Sequence, residues 1–214
     1  MKDNSMAFTN ISGDLKDVLD RIGSICFKAE TILNLCMDGF MKNKVGLLDE
    51  ANKVSQTARD EGNELRKLLG GKATEPNANK ELIKSLLSIV GSIEMAVTGL
   101  DSVLQHVRGK VSERILFSDK AVSEIRHLFR ETLDILKTAG DTLVTKNEVL
   151  MKYVINKYKN LDEIVEDYSQ EHEERLIKGL CQVQHSPVYL NIMDSTMTIV
   201  WHVKQALIKL FECK

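Results

Sequence analysis

The sequence predicts an all-α protein of six helices, arranged as two tandem three-helix bundles related by internal duplication. Three observations predict it. Apolar residues recur at i, i+3, i+4 and i+7 through long stretches, and no strand-like alternation is long enough to compete. Only two prolines, Pro76 and Pro187, interrupt 214 residues, and proline is the residue that removes a helix hydrogen bond and clashes with the preceding turn. The chain also matches itself without a gap when shifted by about 103 residues. Leu19, Ile22, Ile25, Cys26, Ile32, Leu33, Phe40 and Met41 then fall on Val122, Ile125, Leu128, Phe129, Ile135, Leu136, Leu143 and Val144. The same shift lays Leu86, Ile89, Val90, Val97, Leu100, Val103, Leu104 and Val107 on Tyr189, Ile192, Met193, Val200, Val203, Ala206, Leu207 and Leu210. Few of these pairs are identical. What repeats is apolar spacing, as a duplicated core requires.

The elements follow in order. A first helix is expected over 14–42 and a second over 45–69, ended by Gly70-Gly71 and the Pro76 turn. A third runs over 79–108, with Gly109 as its expected C-terminal cap. Ser118 is placed to cap the fourth, over 119–146, by accepting a bond from a free first-turn amide. The fifth covers 148–177. Ser186-Pro187 opens the sixth, since proline suits a first helical position whose amide would be unpaired anyway. The first repeat thus spans 14–109 and the second 118–211. Long helices with short connections pack as antiparallel neighbours.

Composition narrows the function classes. Apolar residues make up 43%, enough for a substantial core. A net charge of −2 and a sequence pI of about 6.2 argue against nucleic-acid binding, which relies on a basic face. No apolar run approaches the ~18 residues of a membrane span, so membrane insertion is not expected. Met1–Asn10 lack the apolar stretch of a secretory signal. The four cysteines, Cys26, Cys36, Cys181 and Cys213, form no CxxC pair. Cys26 and Cys36 sit in an apolar stripe, where cysteine acts as a small hydrophobe. That usage fits a reduced cytoplasmic interior.

No nucleophile elbow, zinc-protease, Walker or dinucleotide motif is present, so no catalytic or cofactor-binding residue is assigned and the protein is expected not to be an enzyme. Glu124-x-x-His127 has the spacing used in di-iron bundles, but those need a second such pair, and the shift sets His127 on Ser24. It reads as a solvated helix face with a local charge contact. Asp60 and Glu64 are four apart and share a helix face. The shift lays them on Glu163 and Asp167, again acidic and four apart. Such pairs can hold a hard cation through oxygen, yet 31 of 214 residues are Asp or Glu, so solvated helix faces explain them as well, and metal ligands stay unassigned. The charged stretch Glu171-His172-Glu173-Glu174-Arg175-Leu176 reads as a solvated helix end with intrahelical ion pairs. Trp201, the sole tryptophan, lies between Val200 and Val203 and reads as core or inter-helix packing rather than a binding hot spot.

With these residues on it, the duplicated plan resembles the PhoU-domain family of phosphate-uptake regulators and related domains attached to or encoded with phosphate transporters. Glu131-Thr132-Leu133-Asp134-Ile135-Leu136, continuing to Gly140-Asp141-Thr142-Leu143, looks like the family's first helix, and Leu161-Asp162-Glu163-Ile164 like its second. His172, Arg175-Leu176 and Tyr189-Leu190-Asn191-Ile192-Met193 look like the version in sodium–phosphate cotransporter tails. The likeness covers about residues 14 to 211. The family's third helix carries Glu-Arg-Ile-Gly-Asp, whose outer carboxylates can serve metal binding. Here the matching segments are Glu94-Met95-Ala96-Val97-Thr98 and Met197-Thr198-Ile199-Val200-Trp201. One glutamate survives of four carboxylates, and methionine or tryptophan cannot replace a hard oxygen ligand.

The resemblance implies a cytoplasmic, non-enzymatic regulator of phosphate transport or signalling, working by protein–protein binding to a phosphate transporter or a phosphate-sensing kinase. It would be peripheral to the inner face of the membrane through that partner, and bundles of this kind also pair as homodimers. Two alternatives stay open: a helical protein binding a divalent or ferric metal on its acidic faces, and a helical scaffold unconnected with phosphate.

Overall fold

The computed structural model describes residues 13–212; Met1–Asn10 and Cys213 lie outside them. The described chain forms α1 (Gly13–Lys42), α2 (Val45–Lys72), α3 (Lys80–Ser112), α4 (Asp119–Thr145), α5 (Glu148–Ile177) and α6 (Ser186–Glu212), with one 3-10 turn over Val183–His185. Local chemistry sets several starts. Asn79, Ser118 and Asn147 each accept a first-turn amide through the side chain, Ser118 Oγ from Ala121 N at 3.3 Å. Asn43 and Lys146, equivalent under the shift, both take left-handed backbone (φ 52° and 55°) and turn the chain sharply into α2 and α5.

Two expected ends differ. α2 continues through Gly70 and Gly71 to Lys72, because the last-turn amides keep their partners; Ala73 N still bonds Leu69 O at 3.0 Å. α3 runs past Gly109 to Ser112. Its stop is Arg114, at φ 54°, since Val111 still packs on the core and Ile115 beyond it is buried.

The core explains the elements. Of the first repeating set, all the α1 members but Met41 are buried, and its counterpart Val144 is exposed in the same way; on α4 Val122 is half-buried. Every member of the second set is buried on both α3 and α6. α1 packs on α4 and α3 on α6 at the centre, while α2 lies against α1 and α3, and α5 against α4 and α6. The α1–α4 pair is antiparallel: an added Cβ at Gly23 would lie 2.8 Å from Val144, and one at Gly140 would lie 2.7 Å from Phe27. The two bundles therefore meet along one continuous apolar cluster.

The premise that no apolar stretch approaches the length of a membrane span needs correcting. α3 is long and apolar enough to cross a membrane, with an 18-residue window of mean hydropathy 1.4, half of it buried within the bundle. A helix covered by α1, α2 and α6 must be apolar on more than one face.

Candidate functional site

The face between α2 and α3 is where the resemblance would place metal ligands. Arginines occupy it instead. Arg66 Nε donates to Glu94 Oε2 at 2.5 Å, and Arg59 pairs with Asp101. Ser55 Oγ adds a 2.5 Å bond to Asp101 Oδ1, and Arg108 lies 2.9 Å from Asp49. The pairs climb one helix as they descend the other, forming a ladder of charge between antiparallel neighbours. Thr98, at the lost aspartate position, bonds back to its own helix through the Glu94 carbonyl at 3.0 Å. On α6 the matching residues are Met197 and Trp201. A carboxylate held by a guanidinium, a threonine, a methionine and a tryptophan do not fit a hard-cation cluster.

The second repeat keeps charge at only one rung of this ladder. The shift carries Arg59 onto Asp162 and Asp101 onto Lys204, so the signs exchange. Lys204 Nζ sits 3.6 Å from the centre of the Tyr158 ring, and Tyr158 takes the place of Ser55. Burial pulls the Lys204 ammonium below its ordinary pKa, and the Asp162 charge opposes part of that.

Asp60, Glu64, Glu163 and Asp167 are all exposed. Glu64 pairs with Arg21 at 3.0 Å, and Gln56 donates to Asp60 at 2.9 Å. Their four-apart spacing reflects solvated faces. Among the described residues no three His, Cys, Asp or Glu side chains converge as a metal ligand set.

Glu124 and His127 were expected on one solvated face. They part company. Glu124 is buried, with a side chain 2% exposed. Arg175 clamps it with both terminal nitrogens, at 2.9 and 2.7 Å, and the Tyr189 hydroxyl donates to Oε2 at 2.5 Å. Burial first, then the bond to Glu124, pushes the Tyr189 phenol above its ordinary range. His172 is buried as well. Its Nε2 lies 2.7 Å from Ser186 Oγ, and its ring stacks on Tyr189 at 4.5 Å. The stretch 171–176 is therefore only half a solvated end. Glu174 pairs with Lys178 on the surface, while His172 and Arg175 turn inward. His127 bonds the Tyr168 hydroxyl at 2.7 Å, away from Glu124. A sequence signal existed: Glu124 falls in the stripe Ala121, Ile125, Leu128, and a charge in an apolar stripe demands a buried partner.

Trp201 is also corrected: it is 43% exposed, beside Met95 at 48%. Together they flank a groove of about 460 Å³ between α3 and α6. Ile199, Val200 and Val203 take the inward positions, and Thr98, the counterpart of Trp201, faces solvent too.

This arrangement, six helices in two bundles with α1–α4 and α3–α6 at the centre, is the PhoU fold. PhoU from Pseudomonas aeruginosa superposes with a TM-score of 0.83 at 15% identity, over 94% of this chain and 96% of that one. A PhoU-like phosphate regulatory protein from Shewanella oneidensis MR-1 is similar with a TM-score of 0.61 at 10% identity, over 92% and 98% of the chains. No protein-family model and no curated protein matches the sequence.

Proposed function

We propose that this protein is a non-enzymatic regulator of phosphate transport or phosphate signalling, acting by binding a phosphate transporter or a phosphate-sensing kinase. The observation that carries the reading is the fold likeness to PhoU across both repeats, joined by a structural relative described as a phosphate regulatory protein. Regulation of this kind needs only a surface that binds two states of the partner with different affinity. The charge ladder between α2 and α3 and the exposed faces of α2 and α5 supply such surface without catalytic groups. The protein would work in the cytoplasm, held at the inner face of the membrane by its partner.

The metal-binding alternative loses its motivation, because the acidic pairs are solvated and Arg66 holds the surviving signature glutamate. The test is affinity capture of tagged protein from its native cells after mild crosslinking, with membranes solubilised. Recovery of a phosphate transporter or its sensor kinase is expected, together with altered phosphate uptake in a deletion strain. A deletion strain with unchanged uptake and unchanged phosphate-responsive expression would sink the reading.

A further inference from the structure

The connection from α5 to α6 closes over a cavity of about 180 Å³ at the end of the second bundle. That is several times the ~30 Å³ share of one liquid water. Its wall joins Ser118 and Ala121 at the start of α4, Ser186 at the start of α6, and His172, Cys181 and His185. No aspartate or glutamate lines it. Helix starts carry partial positive charge, and here two long helices begin at one space.

A second observation points to a ligand. His172, 3% exposed, lines the cavity with Nδ1 buried and unpartnered. The Nδ1 of His185 is also buried without a partner. Buried polar atoms are normally satisfied, so two open imidazole nitrogens on one wall ask for a bonding group. When the Ser186 hydroxyl donates to His172 Nε2, Nδ1 carries the proton and is an open donor. A cation is disfavoured, because no three potential ligands converge among the described residues.

We infer that this cavity binds a small oxyanion of the phosphate class, held by the two imidazoles and the starts of α4 and α6. The anion is either free in solution or the headgroup of a lipid. Leu116 and Leu180 line the cavity and are both exposed, as are Ile177 at the end of α5 and Val183 beyond it, which would suit a headgroup entering from a bilayer. The inference does not rest on the proposed regulatory role and stands or falls separately.

Cys181 lies on the wall and serves as reporter. Cys26 and Cys36 are buried, and burial pushes both thiols up to about 12, so they are silent. Alkylation of Cys181 by iodoacetamide in the full chain is followed peptide by peptide by mass spectrometry. Inorganic phosphate at ten times its dissociation constant should slow the reaction about tenfold, since only the free fraction reacts. Sodium chloride of equal ionic strength should not. His185→Ala and His172→Gln should each lose the protection while keeping their helical signal; His185 is half-exposed, so its variant decides if the other misfolds. Protection by phosphatidic acid vesicles, absent with phosphatidylcholine vesicles and with free phosphate, and lost in His185→Ala, assigns the headgroup. The inference is overturned if neither phosphate nor phosphatidic acid protects, if chloride protects equally, or if His185→Ala keeps full protection.

Discussion

Replacing Arg175 with methionine strips Glu124 of both guanidinium bonds, at 2.9 and 2.7 Å. The carboxylate, 2% exposed in the native protein, keeps the Tyr189 hydroxyl at 2.5 Å and the Lys120 ammonium at 3.8 Å. Breaking a buried ion pair costs about 3–5 kcal/mol, because the remaining charge is left in a low dielectric. Since two partners persist, the lower end, about 3 kcal/mol, is expected. For a chain of this size each kcal/mol moves the melting temperature by about 2–4 °C, so a fall of about 6–12 °C should appear in thermal unfolding by circular dichroism. Glu124→Leu combined with Arg175→Met and Tyr189→Phe removes the buried members of the network together and leaves Lys120 paired with Glu171 at the surface. That triple variant should return to within about 1 kcal/mol of the native protein, because replacing a buried pair by apolar groups is often neutral. Urea titration of the single and combined variants measures the coupling. A cost below about 1 kcal/mol for Arg175→Met alone would mean that Glu124 is not held as a buried charge.

Gly99 lies where α3 meets α6, and an added Cβ would approach Ile199 to 2.8 Å. Gly99→Ala should cost about 1–3 kcal/mol by overpacking, offset by roughly 1 kcal/mol of helix propensity. Gly70→Ala, with nothing within 4 Å, should stabilise; chemical denaturation showing the opposite order would contradict the packing. Burial lowers the pKa of His106, His172 and His202, for His172 with help from Arg175. The unfolded chain therefore binds more protons once pH drops below about 6.5, and stability should fall as pH falls through that region toward the lowered native values. A melting temperature flat from pH 7 to 5.5 would refute this. At pH 8 Cys181 should react with a thiol reagent in the native protein while Cys26 and Cys36 wait for denaturation, checked by peptide mapping. Arg59→Ala, which breaks a partly exposed pair with Asp101, should cost less than about 1 kcal/mol in the same denaturation assay.

Fold class was written in local pattern. Apolar spacing, two prolines and the caps at Ser118 and Asn147 are properties of neighbouring residues, and helices obey neighbouring residues. The shift of about 103 residues carried the bundle plan because each repeat must bury the same stripe, down to the paired exposure of Met41 and Val144. Pairing between distant charges was not legible. That Arg175 reaches Glu124, that Arg66 takes Glu94 and that Trp201 faces water each depend on which helix lies opposite, and the sequence pattern of one helix says nothing about its neighbour's register. At one rung the charges exchange sign between repeats, Arg59 and Asp101 for Asp162 and Lys204, and there the ammonium lies over the Tyr158 ring. The cavity beside His172 is the extreme case: its wall comes from the starts of α4 and α6, the end of α5 and the connection beyond it, so only tertiary packing could bring its groups to one point.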